Sequence, residues 1–77
     1  MPKFSFDPNP AEAGKPLTIT YTGPAGTTIN LTWTPTNEPS TAVTRSDGTV
    51  TITVPEDAEF LSVDDGAGNE SGTTILH

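Results

Sequence analysis

Leu17-Thr18-Ile19-Thr20-Tyr21 places an apolar side chain at every second position with threonines between, the pattern of a strand with one buried and one wetted face. β-Branched and aromatic residues suit such a pleated, half-buried surface, so the stretch predicts a strand with Leu17, Ile19 and Tyr21 facing inward. The same alternation recurs in Ile29-Asn30-Leu31-Thr32-Trp33-Thr34 and in Val50-Thr51-Ile52-Thr53-Val54. It adds Ile29, Leu31, Trp33, Val50, Ile52 and Val54 to the expected core. No window sustains apolar residues at i, i+3, i+4 and i+7, so the chain reads as all-β.

Working outward, Asp47-Gly48 supplies residues that tolerate positive φ, and this predicts a hairpin in which Ala42–Ser46 fold back on Thr49–Val54 with Val43 opposite Ile52. Pro55 cannot donate to a ladder and ends that strand; Glu56–Glu59 then cross to a strand at Phe60–Asp64 with Leu61 and Val63 inward. Asp65–Gly72 is a polar, glycine-rich loop, after which Thr73–Leu76 return as the last strand. Phe4 and Phe6 open a first strand ended by Pro8 and Pro10, and Pro35–Ser40 reads as a loop. The sum is about seven short antiparallel strands, a small β-sandwich occupying residues 1–77 as one domain.

Composition narrows function. Seventy-seven residues bury too little surface for a deep cleft with a lid, and ten Asp/Glu against three Lys/Arg give a net charge of −7. Such a chain repels phosphate backbones and anionic lipid, so neither nucleic acid nor membrane is the expected partner; a neutral or basic protein is. There is no cysteine, hence no disulfide framework and no thiolate metal site. The stretch Met1–Asp7 lacks the charged and apolar regions of a signal peptide.

Trp33 in the third strand, the strand starting at Phe60, and the loop Asp65-Gly66-Ala67-Gly68-Asn69-Glu70-Ser71 together resemble bacterial immunoglobulin-like domains, whose last hairpin often reads Asp-x-Ala-Gly-Asn-x-Ser. The approach Pro8-Asn9-Pro10-Ala11-Glu12-Ala13-Gly14-Lys15-Pro16-Leu17-Thr18 is similar to theirs as well. The resemblance implies an Ig-like β-sandwich. A lone copy without a signal is similar to the Ig-like proteins that decorate the heads or tails of tailed phages. The paired cysteines and the tyrosine corner of antibody domains are missing.

Catalysis is not expected. The one histidine, His77, stands at the terminus, and no P-loop or His/Cys ligand spacing occurs. Asp64, Asp65, Asn69 and Glu70 share one oxygen-rich loop, which makes them a candidate calcium site; the plainer reading is a solvated loop with Asp65 and Asn69 bonding neighbouring backbone N–H groups. Lys3, Phe4 and Phe6 combine a positive charge with apolar anchors and form the candidate docking segment, an edge strand being the alternative. The expected function is therefore a non-catalytic structural or binding module of a bacteriophage particle, docked on a capsid or tail protein in the virion. The alternative is an extracellular adhesion or carbohydrate-binding domain that meets a cell-surface glycan.

Overall fold

The computed structural model describes residues 3–35 and 38–77, and the side chains of all these except 38 and 39. Eight strands follow in chain order: β1 (Phe4–Asp7), β2 (Ala11–Glu12), β3 (Pro16–Tyr21), β4 (Thr28–Thr34), β5 (Glu38–Val43), β6 (Thr49–Thr53), β7 (Phe60–Asp64) and β8 (Glu70–Leu76). They form two sheets, one of three strands in the order β1-β3-β6 and one of five in the order β2-β8-β7-β4-β5. Every pairing is antiparallel except that of β2 with β8. The described residues are thus all-β in two sheets, with eight strands where the sequence suggests about seven.

The first strand is divided. β1 pairs with β3 in the small sheet, the chain then crosses through Pro8, Asn9 and Pro10, and β2 joins the edge of β8 in the large sheet. Pro8 and Pro10 cannot donate to a ladder, which fits their place at the crossing. Thr73, buried in β8, ties this crossing down through a hydroxyl bond to Asn9 Oδ1 at 3.1 Å.

The expected Asp47-Gly48 hairpin is corrected by the strand register. Val43 lies opposite Thr28 of β4, and Ile52 lies opposite Leu17 of β3, so β5 and β6 belong to different sheets. The turn is tight, with Gly48 N–H on the Arg45 carbonyl at 2.8 Å and Arg45 N–H on the Thr49 carbonyl at 3.0 Å, but it carries the chain between layers. A hairpin would have set both strands in one sheet; crossing over lets Val50 and Ile52 close the core opposite β4 and β7. The expected loop Pro35–Ser40 is corrected too, since Glu38–Val43 form β5 along β4. The sequence of β5, Glu38-Pro39-Ser40-Thr41-Ala42-Val43, shows little alternation, unlike that of β6, which is also an edge strand.

The core lies between the layers. Leu17, Ile19 and Tyr21 of β3, Ile29, Leu31 and Trp33 of β4, Leu61 and Val63 of β7, and Val50 and Val54 are all buried, as the alternation predicts. Ile52 is half-buried because β6 is the edge of its sheet. Each fully buried Leu, Ile or Val contributes about 1.5–3 kcal/mol, and these contacts hold the two sheets face to face.

Candidate functional site

β3 ends on Tyr21, and β7 runs out at Asp64 into the loop that leads to β8. These two ends meet. The Tyr21 ring is buried, tilted 30° against Phe4 at a centroid distance of 4.9 Å, and its hydroxyl donates to Asp65 Oδ2 at 2.6 Å. Gly23 makes room for the ring, since a Cβ there would collide with it. A residue of the small sheet thereby fastens the loop of the large one.

Asp65 organises that loop. Its Oδ1 accepts the N–H groups of Ala67 at 2.8 Å and Asn69 at 3.2 Å, while Oδ2 takes the Asn69 side-chain amide at 2.7 Å beside the Tyr21 hydroxyl. Asp65 N–H closes the loop on the Asn69 carbonyl at 3.1 Å. Gly66 and Gly68 adopt φ of 75° and 94°, which a side chain would resist, so the loop needs glycine at both.

The electrostatics follow from those bonds. The Tyr21 hydroxyl first, then the Ala67 N–H and the Asn69 amide, hold the Asp65 carboxyl well below the usual carboxylate range, against the opposing effect of burial. Tyr21 is raised above its ordinary value, chiefly because its hydroxyl donates to Asp65, then by burial and by the Asp65 charge. An ionised carboxylate and a neutral phenol are each the form that the bond favours. The pair therefore clamps the loop; it carries no activated nucleophile.

Asp64 turns elsewhere. Its Oδ1 accepts the Asn30 amide at 3.0 Å and the Gly66 N–H at 2.9 Å, and Glu70 is exposed on β8. Among the described residues no three His, Cys, Asp or Glu side chains gather as a ligand set; Asp65 and Asn69 bond each other in the loop, while Asp64 at the end of β7 lies opposite Glu70 at the start of β8. The oxygens of Asp65 are already engaged by donors.

In the candidate docking segment, Lys3 is exposed, with its N–H on Thr22 Oγ1 at 2.8 Å. Phe4 and Phe6 are half-buried and pack against the core from β1, because the alternation that puts the Ser5 side chain outward turns theirs in. Two shallow depressions flank the start of β8. One of about 380 Å³ is lined by Lys3, Phe4 and residues 68–71, and one of about 320 Å³ by Phe60, Ser62, Glu70, Ser71 and Gly72. Phe60 lies across Gly72, where a Cβ would meet its ring at 2.6 Å.

Sequence reasoning did not connect Tyr21 with Asp65, which stand 44 residues apart. Gly23, two residues past an inward tyrosine, is the one local hint. No family model matches this chain, and no curated protein or solved structure matches it either.

Proposed function

We propose that the protein is a non-catalytic, Ig-like structural or binding module that forms part of the surface of a bacteriophage particle, docked on a capsid or tail protein. The observation that supports the Ig-like part of the reading is the strand order; the phage part rests on the resemblance of the sequence alone. In an Ig-like arrangement β1-β3-β6 takes the place of strands A, B and E, and β8-β7-β4-β5 that of G, F, C and C′, with Trp33 buried on the strand that corresponds to C. The loop whose sequence carries the resemblance, Asp65–Ser71, joins the strands that correspond to F and G.

The surface supports a binding role. Asp7, Glu12, Asp47, Glu56, Asp57, Glu59 and Glu70 are exposed, which favours a neutral or basic partner. The carbohydrate-binding alternative has less support, because a flat stacking platform needs several exposed rings, while Trp33 and Tyr21 are buried, Phe4 and Phe6 pack on the core, and Phe60 alone of these rings is exposed. Quantitative mass spectrometry of fractionated source material tests the reading. Intact chain at a fixed ratio to a major capsid protein is the expected result; peptides found only within a long envelope protein would overturn it.

A further inference from the structure

Among the described residues, and apart from the two-residue β2, stretches of open strand edge lie on β1, β5, β6 and β8, and they are not equivalent. On β5 the bond from Thr44 N–H to the Thr27 carbonyl at 3.0 Å fixes the register so that Pro39, Thr41 and Val43 point away from β4, and proline brings no N–H to that edge. On β6 the outward residues are Thr49, Thr51 and Thr53, but Thr49 is consumed locally, its N–H by Asp47 Oδ1 and its carbonyl by Arg45 N–H, each at 3.0 Å. On β1 the backbone groups that face the open edge are those of Phe4 and Phe6, and the strand runs straight into Pro8.

β8 is set apart by the depressions beside it. The bonds Asp65 N–H to Asn69 carbonyl and Ile75 N–H to Glu59 carbonyl set the odd-numbered residues of β8 toward β7. Alternation then points the N–H and carbonyl groups of Glu70 and Gly72 away from it. β2 covers this edge only at its far end, opposite Ile75 and Leu76, where Ala13 N–H meets the Leu76 carbonyl at 2.7 Å. Among the described residues no strand pairs with the edge at Glu70 and Gly72. The two depressions lie on its two faces, one against Lys3 and Phe4, the other beneath Phe60.

We propose that the open edge of β8 at Glu70–Gly72 takes an extended, basic peptide segment of a protein partner as an added strand. This rests on the reading of the chain as a binding module and not on where that module resides. Strand addition needs backbone groups at the edge and room for alternate side chains on both faces, and this edge offers both. The side chain directed to the outer face would lie over the 40% exposed ring of Phe60 beside the Glu70 carboxylate. A lysine or arginine fits there, its stem on the ring and its charge on the carboxylate. The chain's net charge of −7 favours the same partner.

The test is an amide NMR titration of the full chain with an end-capped hexapeptide of alternating valine and arginine. The expected result is saturable shifts at Lys3, Phe60, Glu70 and Gly72, with slowed amide exchange at Glu70 and Gly72. Glu70→Lys should weaken binding about tenfold, and the peptide with glutamate in place of arginine should not bind. A peptide N-methylated at alternate positions should lose binding, because it cannot pair with the edge. Shifts centred on Thr41 and Val43, no saturable binding, or equal binding of the N-methylated peptide would overturn the proposal. Particle fractionation and this titration fail separately, since neither measurement depends on the other.

Discussion

Two turns of this protein are built from the same local chemistry and do different things. In one, Asp47 accepts the Thr49 N–H at 3.0 Å and the Thr49 hydroxyl at 2.7 Å, with Gly48 at φ 81°. In the other, Asp65 accepts the Ala67 N–H at 2.8 Å, with Gly66 at φ 75°. Asp47 finds all these partners within two residues, whereas Asp65 adds the hydroxyl of Tyr21 from the opposite sheet. The first is a turn that moves the chain between layers; the second is a turn that locks the layers together. A short Asp-Gly stretch specifies a bend, and the partner that reaches it from afar decides what the bend does.

The largest expected effect removes the frame on which both turns hang. Trp33→Ala should destabilise the domain by about 3–5 kcal/mol in urea unfolding, with the amide signals of both turns lost together. A variant that stays folded and loses a ligand would mean that Trp33 serves a site and not the core.

Next come the glycines. Gly48→Ala meets a left-handed backbone and also the Tyr21 carbonyl, 2.8 Å from the new Cβ, whereas Gly68→Ala at φ 94° has nothing within 4 Å. The backbone conformation alone costs about 1–2 kcal/mol at each, so Gly48→Ala should be the more destabilising of the two by thermal unfolding. Equal losses would show that crowding at the β5–β6 turn is relieved elsewhere.

Smaller still is the difference between a distant and a local bond. Tyr21→Phe should lower stability and quicken amide exchange across residues 65–69, while Thr49→Val should quicken exchange only around Asp47. Loosening of both turns by either variant would erase the distinction.

The sign of the pH dependence follows from the directions of the shifts. Asp65 and Asp47 are both held below their ordinary value, so the stability they contribute is present above the unfolded carboxylate value of about 3.9 and is lost as pH falls toward the folded one. Tyr21 is raised, so its contribution is present below about 10 and is lost as pH rises through the folded value. Urea midpoints measured against pH should fall on both sides in the native chain. In Tyr21→Phe the acid fall should shrink and the contribution of Tyr21 to the alkaline fall should vanish.

Much of this was legible in the residues. Period-two alternation disclosed β3, β4, β6 and β7 and the inward faces of Tyr21, Trp33 and Leu61, because a strand with one buried face leaves that trace. β5 left none: Glu38-Pro39-Ser40-Thr41-Ala42-Val43 is an edge strand whose place is set by β4. Asp47-Gly48 announced a bend correctly, yet the sheet that each flanking strand joins depends on residues far away, Thr28 for Val43 and Leu17 for Ile52. The Asp65 loop was legible as polar and glycine-rich, but its bond to Tyr21 spans 44 residues and leaves no local pattern. The open edge at Glu70 and Gly72 likewise emerges only from the register of β8 with β7 and the short reach of β2.

The clamp is tested most directly by following the side-chain carboxyl signals of Asp65 and Asp47 by NMR as pH falls, in the native chain and in Tyr21→Phe. Asp65 should stay ionised well below the ordinary carboxylate range in the native chain and titrate higher in Tyr21→Phe, with Asp47 unchanged between the two. An Asp65 that titrates near about 3.9 in the native chain, or that ignores the loss of the Tyr21 hydroxyl, would contradict a bond between the sheets.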